Sequence, residues 1–189
     1  MRVGPGALAL LLPALLGVGA PVAARYADRP PPAHTGGFGE PTCALCHRGA
    51  PVDAPGGSLT LVVPPSYAAG EVVEIELRLA RPGMERAGFE LAARFADGEL
   101  AGRPAGTLAA ASPAVRILPA HRPAGVAYAV HGEEGAEPAD GEARWRLRWR
   151  APDPAAGPVV FHAAANAGNL DDSEYGDFVY LAQAVTRPR

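Results

Sequence analysis

The two cysteines of this 189-residue chain lie three positions apart, and a histidine follows the second: Cys43-Ala44-Leu45-Cys46-His47, within EPTCALCHRG. A C-x-x-C-H run is the attachment signature of c-type haem. Each thiol adds to one vinyl group of the porphyrin, and the two-residue spacer sets the sulfurs apart by about the vinyl separation. His47 then falls beneath the iron as proximal ligand. Three other chemistries use the same residue types and stay open: a Cys43–Cys46 disulfide, a zinc site completed by a distant histidine, and a thioredoxin-like redox pair. The last of these lacks a surrounding βαβ pattern. The reading carried forward is one covalent haem c, held by Cys43 and Cys46.

A sixth iron ligand would decide between electron transfer and small-ligand binding. The chain offers His34, Met84, His121, His131 and His162. His34 lies nine residues before Cys43 in a Pro/Gly-rich arm, and His121 lies in a loop beside Pro119 and Pro123; both read as solvated. His162, in VVFHAAAN, reads as a surface residue of a sheet. Met84, in RPGMERAG, reads as a gap-filler against a core and as the alternative ligand. His131 ends a strand, where a side chain can emerge at a rim and face a haem held by the arm. It is the candidate sixth ligand.

Other constellations are weaker. The loop NAGNLDDSEYGD, residues 166–177, carries four carboxylates, but its spacing does not match the calcium loop D-x-[DN]-x-[DN]-G, so it reads as a solvated turn. No G-x-S-x-G elbow accompanies the serines and histidines, and no enzyme activity is expected. The formal net charge of −3 and the absence of lysine give no basic patch for a nucleic acid.

The elements that must position these residues follow from punctuation and period. Arg2 followed by ALALLLPALLGVGA and PVAA reads as a secretory leader over residues 1–24, leaving no membrane span once it is removed. Residues 25–57 are dense in Pro and Gly and read as an irregular arm carrying the haem-attachment segment. From residue 58 to 189 the apolar period is two. Strands are expected near 58–63, 71–80, 88–96, 106–110, 115–118, 126–131, 143–150, 157–165 and 177–185. In ARWRLRWR, Trp145, Leu147 and Trp149 share one face and the four arginines the other. No segment keeps a 3.6-residue period, so an all-β antiparallel sandwich is expected.

With these residues in view, the chain resembles exported bacterial Reeler-like proteins of the choice-of-anchor V kind. The likeness runs from about His34 to Val185. It rests on HTGGFGEPTCALCHRG (T-G-x-x-G-E-x-x-C-x-x-C-H), GSLTLVVPPSYAAGEVVEIELRL, GFEL, YAVHGEEG, WRLRWRAP and GPVVFHAAANAGN with its trailing GDFVY. The resemblance implies an immunoglobulin-like sandwich with haem attachment on its N-terminal side, and a histidine recurring at position 131. His162 stands where an apolar or aromatic residue is usual, and the family's C-terminal anchoring tail has no counterpart in TRPR. The expected function is that of an exported monohaem c-type cytochrome domain, periplasmic or extracellular, exchanging single electrons with a redox partner protein. The alternatives are a noncatalytic interaction module or a haem-based sensor.

Overall fold

The computed structural model describes Met1 and residues 30–119, 125–171 and 173–189. The rest of the expected leader, and His121, lie outside the described residues. Strands follow in the order β1 (Arg48–Gly49), β2 (Ser58–Val62), β3 (Ser66–Tyr67), β4 (Val72–Ala80), β5 (Arg86–Phe95), β6 (Thr107–Ala110), β7 (Val115–Pro119), β8 (Ala127–His131), β9 (Glu142–Arg150), β10 (Val159–Gly168) and β11 (Tyr175–Pro188). They form two sheets, one ordered β2-β4-β9-β6 and a larger one ordered β1-β11-β10-β5-β8-β7, with β3 also on β11. Each expected strand has its counterpart. The additions, β1 and β3, are two-residue pieces that pair parallel to β11, too short for any alternation to announce them.

The sandwich closes because both sheets turn apolar side chains inward. On β9, Trp145, Leu147 and Trp149 are all but fully buried. Trp149 meets Tyr67 and Phe161 edge-on with ring centroids at 5.3 and 5.1 Å, and Phe89 lies 4.6 Å from Trp145. Burying an indole requires a partner for its N–H. Trp145 donates to the Gly135 carbonyl at 2.8 Å and Trp149 to that of Ala105 at 2.9 Å. Met84 joins this core at 6% exposure.

The outer faces of the two sheets differ, and the difference creates the site. On the smaller sheet the outward residues of β4 and β9 are a cross-strand lattice of charge, with Glu76 opposite Arg146 and Glu74 opposite Arg148, left to water. The larger sheet's outward residues are buried: Glu90 and Arg94 on β5, Tyr128 and Val130 on β8, Ala164 on β10, Asp177 and Val179 on β11. Residues 33–54 cover that face. A strand covered on both sides cannot alternate cleanly, which is why GFELAARF and VVFHAAANAG read as nearly continuous apolar runs. His162, expected at the surface, is corrected by this cover. Gly37 sits on its ring so closely that a Cβ there would lie 2.5 Å from the ring's Cγ, and the Phe38 ring meets it edge-on at 5.4 Å. Burial, and then the charge of Arg94, pull the His162 pKa down.

One polar cluster pins the arm. Glu40 accepts hydrogen bonds from the Arg94 guanidinium and the Tyr128 hydroxyl, while Thr35 donates its hydroxyl to the second carboxylate oxygen at 2.6 Å. The Arg94 and Glu40 side chains are 3% and 8% exposed.

Two outcomes follow. Trp149→Ala is expected to cost about 3–5 kcal/mol, the range for emptying an aromatic site in a packed core; an unchanged denaturant midpoint would place the indole in solvent. Glu40→Ala strands a buried guanidinium and is expected to cost about 3–5 kcal/mol. Amide exchange should accelerate first over residues 34–47; unchanged protection there would show that the arm is held by other contacts.

Candidate functional site

The CxxCH segment is shaped locally by its own hydrogen bonds. Thr42 caps a 3-10 turn, Cys43–Leu45, accepting at its hydroxyl oxygen from the Ala44 amide at 3.2 Å. The amides of Cys46 and His47 both donate to the Cys43 carbonyl, at 3.2 and 2.9 Å. The chain is thus wound so tightly that both thiols and the imidazole come from a single turn. Directly after it, β1 docks beside β11, which fixes the turn against the covered face of the larger sheet.

Between this turn and the sheet lies a cavity of about 220 Å³. Cys43, Cys46 and His47 line it from the arm together with His34, and Gly88, Glu90, His131, Asn166 and Asp177 line it from the sheet. Five of the residues weighed from sequence therefore reach one place: His34, Cys43, Cys46, His47 and His131. Met84, the alternative ligand, lies in the core and is not part of this wall.

His47 is the most constrained of them. Its Nδ1 lies 2.5 Å from Asp177 Oδ2, a contact that only an N–H tolerates against a carboxylate. The Asn166 side-chain amide donates to the same oxygen at 3.2 Å, its nitrogen also lying 3.1 Å from His47 Nδ1, and the Asn169 backbone amide approaches the other at 3.3 Å; the shorter contact to the carboxylate assigns the Nδ1 proton. With the proton fixed on Nδ1, the lone pair of the neutral ring lies on Nε2. Carboxylate-bonded histidines with this tautomer are the usual form of metal-binding imidazole, the carboxylate fixing ring orientation and raising basicity. Asp177 is 4% exposed and Ala167 2%, so the expectation that loop 166–177 is wholly a solvated turn is corrected at both ends, where Asn166–Gly168 close β10 and Asp177 lies in β11. Between them Asp171 accepts from the Ser173 amide at 2.9 Å in the open. A signal for Asp177 existed in the sequence, since alternation along GDFVYLA puts Asp177 on the face shared by Val179. It could not reveal that an arm covers that face.

Cys43 and Cys46 are not joined in a disulfide. Burial pushes the Cys43 thiol up to about 12, with the nearby charge of Glu90 adding to the effect. A redox-active C-x-x-C pair needs the opposite, a lowered thiol pKa. Among the described residues no three His, Cys, Asp or Glu side chains converge on a point where one metal ion could be held.

His131 caps a ladder. The β5–β8 pairing runs only through Glu90–Val130 and Leu91–Ala129, and the next amide, that of Phe89, donates to His131 Nδ1 at 3.2 Å. The ring lies over Gly88, where a Cβ would be 2.8 Å from Cε1. Glu90, which sequence reasoning passed over, is 1% exposed on the cavity wall. It accepts from the His34 amide at 2.9 Å, while its Oε2 is buried without a partner. Burial raises its pKa to about 7 against the pull of these amides.

No family model matches this chain and no curated protein is similar to it in sequence. Among solved structures it is similar to the human F-spondin reeler domain in two crystal structures. One matches at 18% identity over 75% of this chain and 95% of that one, with a TM-score of 0.45. The other matches at 17% over 71% and 93%, with a TM-score of 0.43. It is also similar to a cohesin module from a Clostridium perfringens family 33 glycoside hydrolase, at 13% identity over 70% of this chain and 96% of that one, with a TM-score of 0.48. Among the described residues no helix is long and apolar enough to cross a membrane.

The Glu90 carboxyl gives the site a pH signature. Its folded pKa lies above the unfolded value of about 4.5, so the folded state binds the extra proton between the two. Stability is highest below the unfolded value and falls as pH rises through about 7. At about 1.4 kcal/mol per unit the loss is on the order of 3 kcal/mol. Glu90→Gln is expected to be more stable than the parent at pH 8 by that order and nearly equal to it at pH 5, read from urea unfolding. A variant less stable than the parent at pH 8 would mean that the carboxylate is stabilised in place.

Proposed function

We propose that this chain is an exported monohaem c-type cytochrome domain that exchanges single electrons with a partner in the cell envelope. The observation that carries the reading is the cavity: two unpaired thiols and an imidazole with its Nε2 lone pair fixed by Asp177 come from one turn and line the same space. Cys43 and Cys46 would hold the haem covalently and His47 would ligate its iron. The haem supplies reversible one-electron exchange when bound. The protein's part is to hold the groups in register. Thr42 sets the turn, Asp177 keeps the proton on His47 Nδ1, and the β5 and β10 backbones form the wall. The raised Cys43 thiol pKa favours this reading over a redox-active dithiol.

A second reading is a noncatalytic interaction module in which the turn is an accessory. It is favoured by the exposed apolar side chains Leu45, Leu170 and Tyr175, each more than half exposed, of which Leu170 stands on the cavity wall.

Expression beside haem-maturation machinery separates the two. The parent chain is expected to gain a Soret band and a mass increase of one haem that survives denaturation. Cys43→Ser/Cys46→Ser should lose both while keeping the β-sheet circular dichroism. A folded parent chain without a Soret band would leave the interaction module.

A further inference from the structure

Among the described residues three imidazoles line the cavity, those of His34, His47 and His131, and a neutral ring can offer a lone pair only at the nitrogen without the proton. The hydrogen bond at the other nitrogen fixes which one that is. His47 is settled by Asp177. His34 and His131 are settled by the backbone, in opposite senses.

His34 Nδ1 lies 3.0 Å from the carbonyl oxygen of Pro31. A carbonyl only accepts, so Nδ1 carries the proton and the lone pair lies on Nε2. His131 Nδ1 lies 3.2 Å from the Phe89 amide nitrogen. A backbone amide only donates, so here Nδ1 holds the lone pair and the proton sits on Nε2. For His131 to offer Nε2 to a metal, its ring would have to leave that bond and strand a buried amide where the β5–β8 ladder ends. His34 needs no such rearrangement.

The arm also places His34 close to the attachment turn. Thr35 and Thr42 form an antiparallel bridge, so the next residues outward on its two limbs are His34 and Cys43. Glu90 holds the His34 main chain through the amide bond at 2.9 Å. The sequence separation of nine residues is thereby folded into adjacency across the bridge. A lone histidine in a Pro/Gly-rich stretch, expected to be solvated, becomes part of the cavity wall.

Resting on the cytochrome reading, we infer that His34 Nε2 is the second axial ligand of the iron, and that His131 is a structural residue that ends the β5–β8 ladder. The site then takes two imidazoles, one from each end of the bridged arm. It closes the sixth position to small ligands and selects electron transfer over gas sensing.

The test compares the full chain with His34→Ala and His131→Gln, each matured with haem and checked for folding by circular dichroism. The parent chain is expected to be six-coordinate and low-spin, and inert to carbon monoxide when reduced. His34→Ala should become high-spin and bind carbon monoxide, and added imidazole should restore the low-spin spectrum. His131→Gln should stay low-spin while unfolding at lower denaturant. A low-spin His34→Ala protein, or loss of the low-spin form in His131→Gln alone, overturns the assignment. A parent chain with covalent haem but an open sixth position overturns it while leaving the cytochrome reading intact, and a parent chain without haem overturns both. Nitrogen-15 shifts of the haem-free chain give a separate readout. His34 protonated at Nδ1 and His131 at Nε2 support the assignment, and the reverse pair overturns it.

Discussion

The buried pair of Glu40 and Arg94, joined by Tyr128, is the contact on which the rest of the molecule's outer surface depends. It holds an arm with little regular structure of its own against the outer face of the larger sheet. Without that cover Glu90, His162 and Asp177 would be ordinary surface side chains. Taking an ion pair out of water is expensive and repays little net stability against an apolar substitute. What it supplies here is position: a charged pair with a hydroxyl partner has one satisfied geometry, whereas an apolar contact tolerates sliding. The register of the arm, and hence the placement of the CxxCH turn, is set by that requirement.

A covered polar face explains why so many unusual groups share one cavity. Its buried polar atoms are desolvated and must find a partner within the protein or shift their protonation. Asp177 finds His47 and the Asn166 amide, His131 finds the Phe89 amide, and His34 finds the Pro31 carbonyl. Glu90 is only partly satisfied, and its raised pKa is the consequence. The same desolvation keeps the Cys43 thiol neutral. The hydrogen bonds that satisfy the imidazoles also set their tautomers, so folding decides which nitrogens face a ligand before any ligand arrives.

The two halves of the sandwich divide the work. The smaller sheet and the aromatic cluster around Trp145 and Trp149 supply a core that makes no demand on the site. The larger sheet carries the candidate site on its other side, where β5, β10 and β11 each contribute outward residues at a spacing of two. Because these strands are pinned from within by packed side chains, the wall they present to the arm is rigid.

Much of this was legible in the chain itself. Alternation in EVVEIELRLA and ARWRLRWR gave the inward faces of β4 and β9, Pro and Gly marked the turns, and the CxxCH run singled out three residues that share one turn, because each of these signals is local and depends on a side chain's own period or chemistry. For Met84 the sequence left core filler and alternative ligand both open, and packing placed it in the core. What it could not carry was the cover on the larger sheet. Glu40 and Arg94 are 54 residues apart and His47 and Asp177 are 130 apart, and nothing in either local pattern distinguishes a buried partner from a solvated one. Only the tertiary fold brought His34 beside Cys43, turned His131 into the cap of a ladder, and moved Asp177 from a surface turn to the proton of His47. Tautomer and burial are properties of contacts, and contacts between distant segments are written in the packing rather than in the period.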